Sequence, residues 1–202
     1  EVRCLIQTVK SKCIVTIADC VINDRKNVSN WVDFTVETYK GVTYEMKSTD
    51  ICANDDGGKT KEWADKNGYK LSSNNDTGTD WSGMRDLDHS SENVQSIVKA
   101  YLDMLLNDFG YAGFRYDMVK GYSGKFTGIY NTAAKPTYSV GEYLDGDVSK
   151  VKNWLESTKV SEEITSAAFD FPIRYVVRDA INGKWSNVKT DGLANDNSYK
   201  QY

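Results

Sequence analysis

Two acidic residues stand at the ends of segments whose apolar pattern predicts buried strands. Residues 113–117 end in Asp117 and residues 138–142 end in Glu142. If these strands are neighbours in a parallel sheet, both carboxylates lie at one rim of it. Such a pair can cleave a glycosidic bond, because one group attacks the anomeric carbon while the other protonates the leaving oxygen, at about 5–5.5 Å separation in retaining enzymes. Acidic strand ends also serve metal-dependent and kinase-like chemistry, so the spacing alone leaves those classes open.

Arg115 lies two residues before Asp117, on the same face of the predicted strand. A guanidinium in that position would stabilise the ionised form of Asp117. We therefore expect Arg115 to support Asp117 in the reaction.

The segments that must position these groups alternate between two hydrophobic periodicities. Apolar residues at helical spacing predict helices, and short apolar runs between them predict strands. The predicted helices cover residues 2–9, 94–105, 124–134, 148–155 and 172–181, and the predicted strands cover residues 14–22, 111–117, 137–142 and 166–171. This alternation indicates an α/β fold with a parallel sheet of four strands.

Local signals support several of these boundaries. Ser90 or Ser91 and Asp147 are suitable N-caps, Gly110 stands where a helix ends, and Pro172 suits a first helical turn. The run 14–22 is apolar on both faces, which predicts a strand buried on both sides.

Residues 26–89 differ in composition from the rest of the chain. They are rich in Asn, Asp, Gly, Lys, Thr and Tyr, with short alternating pieces such as residues 42–46. We interpret this stretch as an irregular subdomain inserted after the first strand, and long insertions of this kind are usually functional.

Composition excludes some classes of partner. The net charge is -4 and no basic stripe is present, which argues against nucleic acid. No apolar stretch approaches the roughly 18 residues that a membrane span needs. The thirteen Tyr and five Trp suit sugar binding, although core packing explains such aromatics equally. The four cysteines form no zinc motif, and we expect free or partly buried thiols.

Four short motifs carry a specific resemblance. Residues 19–25, 86–89, 113–120 and 140–143 resemble, in order and spacing, the conserved regions of the α-amylase family, glycoside hydrolase family thirteen. The resemblance covers essentially the whole chain and is nearest to plant-like and bacterial α-amylases. It implies part of a (β/α)8 TIM barrel, about strands three to six, with residues 1–25 and 90–202 in the barrel and residues 26–89 as the inserted domain B. It also implies retaining cleavage of α-1,4-glucosidic bonds in starch or maltooligosaccharides.

The resemblance also assigns roles to individual residues. Asp117 would be the nucleophile, Glu142 the general acid and base, and Arg115 their partner. Substrate contacts would come from Asp19 and Lys120, and Tyr122 and Trp81 could stack on sugar, although core packing explains either ring equally. A structural Ca²⁺ would be bound by the side chains of Asn23, Asp76, Asp80 and Asp86 and by the carbonyls of Thr79 and Gly121. These are hard oxygen donors, as Ca²⁺ prefers, although Asp76 and Asp80 also suit a simple turn.

Three positions depart from the family pattern. The family's third carboxylate, an Asp after strand seven, is not found before Tyr202, so we expect a truncated barrel. Asp24 stands where the family has a His that contacts the reacting sugar, and a carboxylate adds charge there. Cys13 stands at a turn that usually holds Gly, and it would be strained if its φ is positive.

These departures keep other interpretations open. The chain could be a non-catalytic fragment that binds glucan and calcium, or it could belong to a related glucanotransferase or α-glucosidase. We expect the isolated chain to have low or no activity. The family's usual action on external starch suggests a secreted or cell-envelope protein, although no signal peptide is visible.

Overall fold

The computed structural model describes residues 1–188 and residue 199. Its helices are α1 Val2–Lys10, α2 Lys59–Lys66, α3 Glu92–Asp103, α4 Gly124–Ala134, α5 Val148–Ser157 and α6 Phe171–Ile181. Its strands are β1 Ile17–Cys20, β2 Asp24–Arg25, β3 Glu37–Tyr39, β4 Val42–Tyr44, β5 Arg85–Asp86, β6 Gly113–Tyr116, β7 Tyr138–Gly141 and β8 Ala167–Ala168. No described helix has the length and apolarity that crossing a membrane requires.

The central element is a parallel four-stranded sheet in the order β1-β6-β7-β8. Helices α3, α4 and α5 connect successive strands, and the buried side chains of α3 and α5 join the core against the outward residues Phe114 and Tyr116 of β6. This arrangement confirms the predicted α/β fold as a partial barrel, although β8 is shorter than the predicted strand 166–171.

Side-chain caps determine where several helices begin. The Ser91 hydroxyl accepts a hydrogen bond from the Val94 N–H, and Asp147 and Asp170 do the same for the first turns of α5 and α6. Helix α3 continues through a wider helical turn, Met104–Phe109, and ends at Gly110 with φ 88°.

Apolar residues that were predicted to be buried are exposed at both edges of the sheet. In β1, Ala18 and Cys20 are buried, but Ile17 is exposed, because β1 is an edge strand and no described residue covers its inner face. In α6, the expected buried stripe includes Val177 and Ile181, which are 50% and 79% exposed. Helix α6 follows the other edge strand, so it has a neighbour on one side only.

The stretch between β1 and α3 consists of small elements. Strands β3 and β4 form a hairpin, β2 pairs with β5, and helix α2 is an element that the sequence analysis missed. The hairpin is attached to α3 through Asp103, whose carboxylate accepts hydrogen bonds from Tyr39 Oη at 2.8 Å and Lys40 Nζ at 2.6 Å. The division into domains at residues 25 and 89 stays a prediction.

A column of aromatic rings organises one side of this insertion. Trp31, Trp63 and Tyr69 lie nearly parallel, with successive ring centroids 6.4 and 5.7 Å apart. The Arg85 guanidinium lies 4.9 Å from the centroid of the Trp31 ring, and it also forms a buried ion pair with Asp55 at 2.8 Å. The column therefore joins the buried ion pair to the surface ring of Tyr69.

All four cysteines are free thiols, as expected, with Cys4 and Cys13 exposed and Cys20 and Cys52 buried. Cys13 has φ 60°, which is the condition under which strain is expected at this position. A side chain in that region costs about 1–2 kcal/mol.

We expect Cys13→Gly to stabilise the chain by about 0.5–1 kcal/mol, because the relieved strain exceeds the extra backbone entropy of glycine in the unfolded state. Urea denaturation measures the free energy of unfolding. The matched control is Cys13→Ala, which removes the thiol but keeps Cβ and should leave that free energy unchanged. Equal stabilisation by both variants would show that the thiol, not φ, is responsible.

His89 gives the stability a defined pH dependence. Its ring is buried among Tyr122, Phe126 and Tyr130, and burial lowers its pKa from 6.5 to about 4. The unfolded chain therefore binds a proton between these values that the folded chain does not, so stability falls as pH decreases from about 6.5 to 4.

We expect His89→Gln to flatten this part of the pH profile by up to about 3 kcal/mol relative to wild type. The measurement is the free energy of unfolding at pH 7, 6, 5 and 4.5 in both proteins. A constant difference between wild type and variant across the series would contradict a buried neutral His89.

Candidate active site

The parallel pairing of β6 with its two neighbours brings three acidic residues to one rim. Asp19 on β1 is in register with Arg115, and Arg115 is in register with Val140 on β7. Beyond the strand ends, the Asp117 N–H donates to the Cys20 carbonyl and the Glu142 N–H donates to the Tyr116 carbonyl, both at 2.9 Å. The ladder thus continues to the two residues of interest and fixes their backbones side by side.

Arg115 contacts all three carboxylates. Its Nη1 atom lies 2.8 Å from Asp19 Oδ1 and also binds Asp117 Oδ1, while Nη2 lies 2.9 Å from Glu142 Oε2. The side chains of Asp117 and Glu142 are partly exposed, so a ligand can reach both. The predicted convergence of Asp117, Glu142 and Arg115 is therefore present in the structure, which brings them together with Asp19.

The residues predicted to contact substrate differ in accessibility. Trp81 is 43% exposed and Asp19 is exposed, so both are available. Lys120 is partly exposed and forms an ion pair with Asp145 at 3.1 Å. Tyr122 is 2% exposed, with its ring centroid 4.5 Å from that of His89. The prediction that Tyr122 stacks on sugar is wrong, because this ring packs in the core.

A cluster of acidic side chains lies where the insertion meets the barrel strands. Carboxylate oxygens of Asp55, Asp80 and Asp86 lie within 4.8 Å of one another. Burial is the largest cause that raises the pKa of Asp86, to about 9, and contact with Asp80 and the charges of Asp76 and Asp55 add to it. Without a cation, Asp86 is therefore protonated at neutral pH.

Two buried oxygens beside this cluster have no hydrogen-bond partner among the described residues. They are Asn23 Oδ1 and Asp76 Oδ2. Orphaned buried acceptors are costly, and oxygen donors from separate segments are the set that a hard cation requires. The donor chemistry of Asn23, Asp76, Asp80 and Asp86 therefore fits Ca²⁺.

Thr79 and Gly121 lie near the same cluster. The Thr79 N–H donates to the Lys120 carbonyl at 2.8 Å, which joins the insertion to the segment after β6. A Cβ on Gly121 would lie 2.0 Å from Asn23 Oδ1, so only glycine allows the backbone to approach Asn23 this closely.

Asp55 is a member of the cluster that the sequence analysis missed. It is fully buried, pairs with Arg85, and accepts the Asp86 N–H at 2.8 Å. Its position therefore holds Asp86 in place. The available signal was the segment Asp55–Gly58, an acidic turn in which Gly57 and Gly58 have positive φ.

Asp24 occupies the position at which the family has His. It is 5% exposed, and its Oδ1 atom has no hydrogen-bond partner among the described residues. Burial raises its pKa, which the Asn23 side chain partly opposes and the Asp117 charge reinforces. The carboxyl group is thus biased towards its neutral form, which reduces the extra negative charge that the sequence suggested.

Known proteins that are similar to this chain are α-amylases. No family model matches the chain. The chain is 25% identical over 199 residues to "Probable alpha-amylase 2" of Arabidopsis thaliana, which covers 91% of this chain and 43% of that protein. It is 26% identical over 132 residues to "Alpha-amylase 3, chloroplastic" of the same plant, covering 58% of this chain and 14% of that protein.

A solved structure supports the fold. An α-amylase from Malbranchea cinnamomea superimposes with a TM-score of 0.58 at 18% identity, covering 93% of this chain and 38% of that protein. The chain thus spans less than half the length of these relatives. The chain is similar in sequence to these α-amylases, and its fold corresponds to part of the α/β barrel of the solved one.

Proposed function

We propose that this chain carries the reacting carboxylates of an α-amylase-type glycoside hydrolase that cleaves α-1,4-glucosidic bonds in starch-like glucans. The observation that carries the proposal is the Arg115 guanidinium in contact with Asp117, Glu142 and Asp19 at one rim of the sheet. Because the chain covers less than half of its relatives, the activity of a whole protein is part of the proposal.

The proposed reaction is a double displacement. Asp117 attacks the anomeric carbon as the bond to the glycosidic oxygen breaks, and Glu142 gives its proton to that oxygen. Water then attacks the same carbon, Glu142 takes a proton from the water, and the bond to Asp117 breaks. Arg115 offsets the negative charge of the Asp117 carboxylate before it attacks and after it is released. Because Glu142 donates a proton in the first step, one of its oxygens has to carry that proton, and the other can still accept from Arg115.

Accessible side chains supply the proposed glucan contacts. Asp19 is exposed beside Arg115, and Lys120 lies three residues after Asp117. Trp81 offers an exposed ring for the apolar face of a sugar. Tyr122 has no part in this set.

We also propose that Ca²⁺ binds Asn23, Asp76, Asp80 and Asp86 together with the carbonyls of Thr79 and Gly121. The orphaned oxygens of Asn23 and Asp76 and the crowded carboxylates support this assignment. The cation would neutralise the cluster and connect the insertion to the segments that follow β1 and β6.

A second candidate is a glucan- and calcium-binding fragment without turnover. The buried Asp24 favours it, because a carboxyl group replaces the imidazole that the family places against the reacting sugar. A glucanotransferase or α-glucosidase would use the same carboxylates and would differ in its products. The compartment stays open between the external action suggested by the resemblance and the plastid named for one relative.

We expect weak release of reducing sugar from soluble starch in the presence of Ca²⁺, reduced about 10²–10⁴-fold in Glu142→Gln, which removes the proton donor. The matched control is Glu62→Gln on the exposed face of α2, which should behave as wild type. Turnover that survives in Glu142→Gln would refute the assignment. Maltooligosaccharide binding without turnover in any variant would favour the second candidate.

We expect saturating Ca²⁺ to stabilise the chain by about 2.7 kcal/mol at one hundred times its dissociation constant. In Asp86→Asn this gain should disappear with little change without calcium, because Asn resembles the protonated Asp86. Thermal unfolding with and without a chelator measures both effects. Asp65→Asn, at an exposed ion pair on α2, should keep the full gain. Equal stabilisation of Asp86→Asn and wild type would exclude this site.

A further inference from the structure

The two loops that follow the proposed reacting residues are joined by an ion pair at equivalent positions. Lys120 lies three residues after Asp117, and Asp145 lies three residues after Glu142. Lys120 Nζ is 3.1 Å from Asp145 Oδ2 and 3.3 Å from the Leu144 carbonyl. The ammonium also lies 5.4 Å from the centroid of the Tyr143 ring. One cation thus contacts three consecutive residues of the neighbouring loop.

Backbone hydrogen bonds also join these two loops. Met118 has φ 44°, and its N–H donates to Glu142 Oε2 at 3.3 Å. The Val119 N–H donates to the Glu142 carbonyl at 3.3 Å. The loop after β6 is therefore attached to the loop after β7 from residue 118 to residue 120, next to both proposed reacting groups.

Asp145 is itself held firmly. Its Oδ1 atom accepts the Asp147 N–H at 3.0 Å, and Lys150 Nζ lies 3.4 Å from Oδ2. The backbone hydrogen bond from Asp147 and the contacts with Lys120 and Lys150 hold the pKa of this carboxyl down, at about 2. Asp145 is therefore an anion at any pH at which the reaction would run.

The sheet ladder fixes the backbones of Asp117 and Glu142 and ends there, so it does not fix their side chains or the loops that follow. A double displacement needs its two carboxylates at a defined separation, and an error of about 1 Å can cost a hundredfold in rate. Contacts between the two loops, such as the one from the Met118 N–H to Glu142 Oε2, act on that separation beyond the ladder.

We propose that Asp145 is a positioning residue that holds Lys120 and thereby fixes the separation of Asp117 and Glu142. This inference rests on the proposed function. Lys120 has three N–H donors, and Leu144 and Asp145 occupy two of them, so one donor stays available for a glucan hydroxyl.

The test compares two ligands by isothermal titration calorimetry, so it does not require turnover. Acarbose carries a basic secondary amine where the scissile oxygen of maltotetraose lies, and well-placed carboxylates favour the amine. Asp145→Asn keeps the shape and the acceptor for Asp147 but removes the charge. We expect it to lower the ratio of acarbose affinity to maltotetraose affinity about tenfold, with the melting temperature nearly unchanged.

Four further variants extend the test. Asp145→Glu restores the charge and should recover part of the ratio. Lys120→Met should reproduce the loss, and the double variant should lose no more than either single variant, because both remove one ion pair. Lys61→Met on α2 removes the cation of an exposed ion pair that does not involve Asp145 and should keep the wild-type ratio.

The outcomes separate the two proposals. Wild type that binds neither ligand refutes the proposed function and the positioning role with it. Wild type that prefers acarbose, with the same preference in Asp145→Asn, refutes only the positioning role. Additive losses in the double variant also refute it, since Lys120 and Asp145 would then act separately.

Discussion

The contact of one guanidinium with three carboxylates is the interaction on which the site depends. Asp19, Asp117 and Glu142 come from three adjacent strands, and two like charges about 4 Å apart repel each other by about 1–4 kcal/mol, depending on solvent. Arg115 turns this repulsion into attraction and is itself placed by the parallel register of β1, β6 and β7. The helices between these strands support that register, because they pack against the outward side chains of the sheet.

The acidic cluster of the insertion also holds several carboxylates close together, but their charges are balanced in a different way. Asp55 is neutralised by Arg85, but Asp76, Asp80 and Asp86 have no comparable cation among the described residues. Burial and mutual repulsion then favour protonation of Asp86. The three carboxylates at the rim share an arginine, whereas the cluster of oxygen donors with unsatisfied acceptors suits a cation from solution. The two groups of carboxylates thus differ in chemistry although both are acidic.

Local signals in the sequence predicted much of the architecture. Ser91, Asp147 and Pro172 mark helix starts because each acts within a single helical turn. The positions of Asp117 and Glu142 at the rim could be predicted from where the apolar strands end. Burial could not be predicted in the same way, because the exposure of Ile17 and Ile181 depends on what lies beside the edge strands.

The positions that the sequence analysis missed depend on distant partners. The ring of Tyr122 packs against His89 in the core. Asp55 reaches the acidic cluster because it pairs with Arg85 and accepts the Asp86 N–H. Helix α2 was missed because only Thr60 and Ala64 are buried on it, which leaves no apolar stripe.

The column of Trp31, Trp63 and Tyr69 has an optical consequence. Near-parallel indoles 6.4 Å apart couple their electronic transitions, so they contribute an exciton signal to the circular dichroism. Ellipticity of this chain therefore reports the packing of the insertion as well as its helix content.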